Sequence, residues 1–254
     1  MIDIHTHILP GIDDGSESTE MSLKLIEEAS SSGVHSMITT PHFYKGLYEN
    51  YAGESLQKRW DSLHHAVHRA KLPVHLYQGM EIMACDDLPD LLRDGKVWTL
   101  NASAYFLLEF AFDEEPAYCQ KIIDACMSSG YTPVIAHPAR YYFIQDNPSI
   151  VYEWFRQGCG IQLNKGTLLG ENGIRARNTA FSLLRHKVVS CVASDAHRTY
   201  WRNADMQSTE DLLLEHFGPD YTYLLTEENP DRILRNMELV GYEPVPYDKK
   251  RSKL

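Results

Sequence analysis

The sequence lacks an excess of basic residues and has no long apolar run. Its 254 residues include 24 Lys and Arg against 35 Asp and Glu, a formal net charge of −11 with His neutral. Sequence-independent nucleic-acid affinity comes mainly from Lys and Arg, so this balance disfavours a nucleic-acid binder. The longest apolar stretch, residues 105–112, is interrupted by Glu109 and is far shorter than the roughly 18 residues that span a bilayer. No transmembrane segment or secretion signal is predicted, and the expected location is the cytoplasm.

Cysteines are also few, and they form no motif. Five are present at irregular spacings without a Cys-x-x-Cys pair, so reduced and mostly buried thiols are expected. Cysteine-dependent phosphatases carry an Arg at the sixth position after the nucleophile, because one loop holds both the thiolate and the phosphate fork. That position is occupied here by Leu91, Ala125, Thr132, Lys165 and His197, which excludes this class of enzyme.

Short apolar, β-branched runs alternate with longer amphipathic stretches, which is typical of strand–helix units that build a parallel sheet. About seven such units are predicted. The predicted strands cover residues 2–5, 34–40, 74–79, 105–110, 132–136, 160–163 and 188–193, with a further candidate at 221–226. The predicted helices cover residues 18–32, 54–70, 116–129, 149–158, 174–186 and 209–217. No repeat or linker divides the chain, so we predict one domain over residues 1–243 and a basic, disordered tail at 244–254.

Histidines and carboxylates stand at the ends of the predicted strands. They are His5, His7, His42, Glu81, Glu109, His137, Asp195 and His197. Because the carboxyl ends of parallel strands in a barrel open on one rim, these side chains are expected to converge on one concave site. Asp14, in the loop after the first strand, is a further candidate, although an Asp-Gly turn explains it equally well. The other seven histidines follow no predicted strand.

The spacing of these residues favours metal binding. His5 and His7 lie two residues apart, as do Asp195 and His197, so an extended residue between them projects both side chains to one side. Five histidines and several carboxylates in one cleft would be poorly solvated and mutually repelling unless cations neutralised them. Imidazole and carboxylate ligands without thiolate suit Mn(II), Fe(II), Co(II) or Zn(II). The candidate ligands are too many for one ion, so more than one ion is implied.

Clustered ions of this kind favour hydrolysis of a phosphate ester. They hold phosphoryl oxygens and lower the pKa of bound water towards neutrality. Arg140 and Arg202 follow His137 and His197 in the chain and are expected on the same rim. A guanidinium fork matches two phosphate oxygens, although solvent-facing loop arginines are the ordinary alternative.

The ordered motifs resemble those of the polymerase-and-histidinol-phosphatase (PHP) superfamily. They occupy residues 1–7 (Met-Ile-Asp-Ile-His-Thr-His), 13–15 (Asp-Asp-Gly), 40–42, 79–82, 108–110, 132–137 and 193–197. Within that superfamily, the chain is similar to the bacterial manganese-dependent protein tyrosine phosphatases encoded with capsule and exopolysaccharide genes. The resemblance spans nearly the whole chain. Relatives often carry Glu where Ala139 stands and Asn where Arg198 stands, so the surroundings of Arg140 and His197 are expected to differ.

The resemblance implies an α/β fold, a distorted TIM-like (β/α)7 barrel, that holds three metal ions. Mn²⁺ is the implied ion, with Fe, Co or Zn as substitutes. The implied ligands are His5, His7, Asp14, His42, Glu81, Glu109, His137, Asp195 and His197. Arg140 and Arg202 are implied to bind phosphate. The implied substrate is phosphotyrosine on the tyrosine-rich tail of a membrane-associated bacterial tyrosine kinase that controls polysaccharide export.

Three alternatives stay open from the residues alone. A small-molecule phosphomonoesterase such as a histidinol phosphatase would use the same metals, a nuclease is disfavoured by the acidic charge, and a non-catalytic scaffold is disfavoured by the complete ligand pattern. Three tyrosines after His42 could stack on a substrate ring, but packing within their loop is the favoured interpretation. They are Tyr44, Tyr48 and Tyr51.

Overall fold

The computed structural model describes residues 1–247. Its strands are β1 (Ile2–Thr6), β2 (Ser36–Thr39), β3 (His42–Phe43), β4 (His75–Gln78), β5 (Glu81–Met83), β6 (Tyr105–Glu109), β7 (Thr132–Ile135), β8 (Gly160–Asn164) and β9 (Cys191–Ala193). Its α-helices are α1 (Thr19–Ser31), α2 (Glu54–Ala70), α3 (Leu88–Arg93), α4 (Pro116–Ser128), α5 (Tyr142–Asp146), α6 (Ser149–Gln157), α7 (Lys165–Leu169), α8 (Ile174–Arg185), α9 (Gln207–Phe217), α10 (Pro219–Tyr223) and α11 (Asn229–Leu234). Within these residues, no helix is long and apolar enough to cross a bilayer.

The first helix illustrates how local sequence sets the boundaries of an element. The Ser18 side chain accepts a hydrogen bond from Met21 N (3.2 Å) and caps α1 at its N-terminus. Leu25 and Ile26 lie on its buried face. The chain leaves the helix at Gly33, whose φ of +89° is a left-handed conformation that glycine adopts without steric cost.

The strands pair in parallel into a sheet that curls. Its two hydrogen-bonded groups run β1-β2-β4 and β3-β5-β6-β7-β8-β9. Two residues separate β2 from β3, and two separate β4 from β5, so the first group continues into the second through these short breaks. Next to β9, Asp195 N donates to His5 O (2.9 Å) and His7 N donates to Ala196 O (2.8 Å), which brings the first strand beside the last. The result is a mixed α/β fold with a curled parallel sheet.

Two apolar clusters cover the two faces of this sheet. Residues of β6 alternate between them, with Phe106 and Leu108 in the larger cluster and Leu107 in the smaller one. The larger cluster includes the buried faces of the helices, whereas the smaller one joins Ile4 and Val134 on the concave face. The concave interior is therefore packed with apolar side chains rather than open. Polar side chains appear where the strands end.

The predicted strand at 221–226 is wrong. These residues lie in α10 and in a π-helical turn over Leu224–Glu228. A short apolar run does not distinguish a strand from a buried helix by its periodicity. Thr222 and Thr226, which favoured the strand, instead donate their hydroxyl protons to the carbonyl oxygens of Gly218 and Thr222, four residues earlier in the helix.

The predictions at 34–40 and 74–79 found the right strands but missed their continuations. Thr40 and Pro41 separate β2 from β3, and residues 79–80 separate β4 from β5. Proline has no N–H to donate to a ladder, so the pairing is interrupted there. The six predicted helices are all present, with ends that differ by no more than two residues.

The first residues of the predicted tail contact α8. Val245 N donates to His186 O (2.9 Å), and the Tyr247 ring stacks on the His186 ring with 3.6 Å between centroids. Tyr247 also exchanges a hydrogen bond with the Ser182 hydroxyl (3.2 Å). The basic residues of the tail, Lys249, Lys250, Arg251 and Lys253, lie outside the described residues.

Candidate metal centre

The nine predicted ligands converge at the carboxyl ends of the strands. Their nitrogen and oxygen atoms form four overlapping groups, and within each group these atoms lie within 4.8 Å of one another. The groups are His7-Asp14-His42-His197, His5-His7-Glu81, His5-His137-Asp195 and His42-Glu81-Glu109. Positions 190 residues apart in the sequence, such as His5 and Asp195, are thus neighbours. Among the described residues, the seven other histidines belong to no such group.

Glu81 lies at the middle of the cluster. Its Oε2 atom is 3.2 Å from His5 Nε2, 3.1 Å from His7 Nε2 and 3.2 Å from His42 Nδ1. Its Oε1 atom is 2.9 Å from His137 Nε2. One buried carboxylate therefore reaches four imidazoles, which is the arrangement that a bridging ligand between ions requires.

The backbone is unusual at three positions of the centre. The φ values of His137, Asp195 and Arg202 are +34°, +57° and +53°. Residues other than glycine rarely occupy this left-handed region. Such conformations cost free energy and persist where the surrounding structure imposes them, commonly at functional sites. At each of these three positions, which follow β7 or β9, the left-handed backbone directs the side chain towards the cluster.

Asp13, the first residue of the Asp-Asp-Gly motif and not one of the predicted ligands, orients two of the histidines. Its Oδ2 atom accepts hydrogen bonds from His7 Nδ1 (3.0 Å) and His42 N (3.0 Å), and its Oδ1 atom accepts one from Gly15 N (2.9 Å). A carboxylate on one ring nitrogen directs the other towards a metal. A Cβ atom at Gly15 would lie 2.1 Å from His7 O, so only glycine allows the loop to approach so closely.

Two neutral side chains of β8 also support the ligands, and sequence reasoning missed both. Gln162 Oε1 accepts from His137 N (3.1 Å) and lies 3.2 Å from His5 Nδ1. Asn164 Nδ2 donates to Asp195 Oδ2 (2.9 Å). The available signal was two amides at alternate positions of an otherwise apolar strand, which places both on one face.

Tyr141 is a further residue that sequence reasoning missed. Its hydroxyl accepts from Phe110 N (3.1 Å) and donates to Ala136 O (2.8 Å). These two backbone groups are adjacent to Glu109 and His137, at the ends of β6 and β7. The tyrosine therefore connects the two strand ends that carry these predicted ligands.

The two glutamates of the centre have opposite protonation tendencies. Burial raises the pKa of Glu109, and the negative charges of Glu81 and Asp195 raise it further, well above its usual value. Burial also acts on Glu81, but the charges of His5 and His42 outweigh it and hold the pKa of Glu81 well below its usual value. The difference follows from position, because Glu81 lies among imidazoles. A cation between the carboxylates would relieve the repulsion at Glu109.

Two buried imidazole nitrogens of the centre, His137 Nδ1 and His197 Nε2, have no hydrogen-bond partner within the described residues. Burial lowers the pKa of His137 to about 4 and the pKa of His197 to about 4, so both imidazoles are neutral near pH 7 and keep a lone pair. Buried polar atoms without partners are rare because each costs free energy. These imidazole and carboxylate donors fit a cluster of transition-metal ions.

Both predicted arginines reach the rim of the centre. Arg140 Nη1 lies 3.7 Å from Asp195 Oδ2, and Arg202 pairs with Oδ1 of the same carboxylate. Each guanidinium also stacks on an aromatic ring, Arg140 on Phe112 at 4.4 Å and Arg202 on Trp201 at 5.4 Å from the centroid. Two oriented cationic forks therefore face one carboxylate of the cluster.

Ala139 and Arg198 are the two positions near the centre at which the sequence is expected to differ from its relatives. Ala139 is fully buried, and Arg198 pairs with Glu17 while its Nη2 atom donates to Asp14 O (3.3 Å). Arg198 thus supports the loop that carries Asp14. Among the tyrosines after His42, Tyr51 packs edge-on against Phe43, as the packing interpretation predicts.

The fold and the donor cluster define an α/β protein with a candidate metal centre for several ions at the carboxyl ends of its strands. A sequence model of the family described as "Capsular polysaccharide synthesis, CpsB/CapC" matches residues 1–235. The chain belongs to this family. The predicted resemblance to the tyrosine phosphatases of capsule synthesis is confirmed at the level of the family.

Two relatives span almost the whole chain. Tyrosine-protein phosphatase YwqE of Bacillus subtilis is 34% identical over 254 residues, which cover 100% of this chain and 98% of the relative. Tyrosine-protein phosphatase CpsB of Streptococcus pneumoniae is 30% identical over 239 residues, which cover 92% of this chain and 98% of the relative.

Solved structures agree with the sequence comparison. A chain from the crystal structures of YwqE and CpsB, described as unique metal-dependent tyrosine phosphatases, matches with a TM-score of 0.91 and 33% identity, over 98% of this chain and 100% of that chain. A lactonase from Listeria monocytogenes matches with a TM-score of 0.60 and 9% identity over 95% of each chain. The lactonase shares the fold alone.

Proposed function

We propose that the protein is a metal-dependent protein-tyrosine phosphatase that hydrolyses phosphotyrosine in proteins. The observation that carries this proposal is the cluster of nine donor residues around Glu81, with Arg140 and Arg202 on its rim. Membership of the CpsB/CapC family and the names of the relatives support the same activity. No cysteine nucleophile is needed, because the donor cluster is suited to metal-assisted hydrolysis.

Within this proposal the chain forms a distorted (β/α)7 barrel over residues 1–243. Seven strand positions result if β3 is counted as the continuation of β2 and β5 as the continuation of β4. The parallel bridge between Thr6 and Ala196 supports closure between the first and last strands. The distortion would lie in the short breaks within the second and third strands.

The proposed cofactor is Mn²⁺, with three ions in each chain. His7, Asp14, His42 and His197 would hold one ion at the outer edge. His5, His137 and Asp195 form another group, and the two glutamates add a third with His42. Sharing of His5, His7, His42 and Glu81 between groups supports neighbouring ions rather than separate sites.

The side chains of the rim have distinct roles in the proposed reaction. When bound, the ions would hold phosphate oxygens and lower the pKa of a bound water towards neutrality. Arg140 and Arg202 would bind the phosphate oxygens that face the solvent and offset their charge. Asp195 would keep the two guanidinium groups oriented before substrate arrives, and Phe112 would support Arg140. Phenolate is a comparatively good leaving group, so the mechanism requires no strong general acid from these residues.

The proposed protein substrate is the tyrosine-rich tail of a membrane-associated bacterial tyrosine kinase that controls polysaccharide export, met in the cytoplasm. The family description, which refers to capsular polysaccharide synthesis, supports this choice of pathway. An extended tail suits a centre recessed below exposed loops, because a flexible segment can bring one side chain to the rim.

The substrate class can be tested by direct comparison. We expect kcat/KM for a phosphotyrosyl peptide to exceed that for histidinol phosphate by about 100-fold, because the peptide adds contacts beyond the phosphate. Both substrates should be assayed with the manganese-loaded protein by release of inorganic phosphate. A preference for histidinol phosphate would instead assign the centre to a small-molecule phosphomonoesterase.

Replacing Arg202 by Ala is expected to lower kcat/KM for the phosphotyrosyl peptide by about 100-fold. The loss corresponds to ~2.7 kcal/mol and reflects charge-assisted hydrogen bonds to the phosphate. Arg235→Ala is the matched control, since Arg235 is an exposed arginine that pairs with Asp231 within one helical turn. Equal kcat/KM values for Arg202→Ala and this control, at unchanged metal content, would remove Arg202 from the phosphate site.

A further inference from the structure

Two aromatic side chains flank the outer edge of the candidate metal centre. The Trp201 ring lies edge-on to His197, with 6.2 Å between centroids, and the Tyr48 ring stacks on His42 at 5.7 Å and 11°. His42 and His197 belong to one group of donors with Asp14, whose carboxylate is 3.5 Å from both imidazoles. Asp14 is 46% exposed and is thus the most accessible donor of that group. The two rings therefore border the part of the centre that solvent reaches first.

Neither ring contributes to the apolar core. Trp201 is 56% exposed, and neither Trp201 nor Tyr48 belongs to or packs against the two apolar clusters of the described residues. An exposed Trp at a concave polar site gives little stability to the fold, and exposed aromatic surface of this kind commonly marks a binding site.

A short hairpin after His197 holds Trp201 in this position. Arg198 and Trp201 form an antiparallel bridge, and His197 N donates to Arg202 O (2.7 Å). Arg202 then turns back into the centre through its left-handed conformation. The indole and the guanidinium are thus presented side by side by one turn of backbone.

The adjacency of indole and guanidinium matters for an aryl phosphate. The Arg202 guanidinium carbon lies 5.4 Å from the centroid of the Trp201 ring, and the same guanidinium pairs with Asp195 of the cluster. In phosphotyrosine a single oxygen joins phosphorus to the phenyl ring. A phosphate bound at Arg202 would therefore bring that ring towards the aromatic groups at the mouth of the centre.

We infer that Trp201 and Tyr48 form an aromatic slot that receives the phenyl ring of the phosphotyrosyl side chain. The inference rests on the proposed function and deepens it, because it names the residues that recognise the aryl group. Aromatic rings stack or meet edge to face, and their burial contributes free energy that an alkyl phosphate cannot recover. Serine and threonine phosphates, which carry no ring, would leave the slot unfilled.

The test uses the full-length, manganese-loaded protein and its Trp201→Ala variant. We expect KM for a phosphotyrosyl peptide to rise about 10-fold, because the ring contact is lost. The inhibition constant of inorganic phosphate, which has no ring, should stay within about two-fold of the wild type. Trp201→Phe should recover most of the peptide affinity, and Tyr48→Ala should shift KM in the same direction as Trp201→Ala.

The control is Tyr223→Ala, which removes an aromatic ring of similar exposure, 57%, from α10. It should change neither constant. If Trp201→Ala weakens the binding of the peptide and of inorganic phosphate equally, the indole acts only by holding Arg202, and this result would overturn the proposed slot. An unchanged KM in Trp201→Ala also overturns the slot while leaving the phosphatase activity in place. A wild-type protein that releases no phosphate from the peptide overturns the proposed function, and the slot with it.

Discussion

Glu81→Gln is expected to lower turnover of a phosphotyrosyl peptide by about 1000-fold, a loss of ~4 kcal/mol in transition-state stabilisation. Glu81 contacts four imidazoles through its two oxygens. Glutamine has the same shape but no negative charge, and its amide nitrogen would face imidazoles that need an acceptor or a cation. The variant should therefore bind fewer ions, as measured by elemental analysis of the purified protein.

Glu54→Gln is the matched control for this substitution, because Glu54 is an exposed glutamate that pairs with Lys58 on α2. It should retain both wild-type turnover and wild-type metal content. Circular dichroism of both variants should show wild-type helix content, since the exchange conserves side-chain volume. Wild-type turnover in Glu81→Gln would contradict the assignment of this carboxylate to the centre.

Removal of the ions with a chelator is expected to abolish turnover and to lower the melting temperature by roughly 5–10 °C. Ions at 100 times their dissociation constant stabilise the folded state by about 2.7 kcal/mol, and in a chain of this size each kcal/mol shifts the melting temperature by about 2–4 °C. The physical cause is the set of buried carboxylates, which repel one another at Glu109 when no cation lies between them. Differential scanning calorimetry measures the shift.

Adding back Mn²⁺, Fe²⁺, Co²⁺ and Zn²⁺ separately then identifies the ion that restores turnover. The same chelation applied to Glu81→Gln should produce a smaller thermal shift, since that variant has fewer ions to lose. Full turnover after exhaustive chelation would rule out metal-assisted hydrolysis. A purified wild-type protein without transition metal that gains no activity on addition of ions would favour the non-catalytic scaffold.

The convergence of the donor residues could be predicted because parallel strands have one direction. His5 and His7 flank an extended residue, and Asp195 and His197 follow another strand, so their spacing and their position at strand ends indicated one shared rim. The structure brings all nine together. Their residue types alone, imidazole and carboxylate without thiolate, indicated a site for transition-metal ions.

The supporting residues could not be predicted in the same way. Gln162, Asn164 and Tyr141 are neutral, and buried amides and hydroxyls satisfy backbone groups in most proteins without any functional role. Their roles depend on which atoms of other strands lie opposite, and that register is absent from a single sequence. Asp13 was visible beside Asp14, but only the geometry of the loop shows that Asp13 faces His7 while Asp14 faces the outer edge.

Errors in the predicted elements have similar physical origins. The segment at 221–226 contains aromatic and β-branched residues that favour a strand, but its position among α9, α10 and α11 buries them as a helix. The breaks between β2 and β3 and between β4 and β5 depend on how neighbouring strands pair where the sheet curls. Tyr247, at the start of the predicted tail, stacks on His186, a contact that the neighbouring Pro244 and Pro246 do not indicate in the sequence.

The meeting of β1 with the segment after β9 has a consequence for synthesis of the protein. A nascent chain exposes His5 and His7 almost as soon as translation begins, yet their partners Asp195 and His197 leave the ribosome some 190 residues later. Polypeptides truncated before that point carry most of the donor residues but lack the two that follow β9. We therefore expect phosphatase activity only in polypeptides that extend past His197, and products that terminate earlier are expected to be inactive.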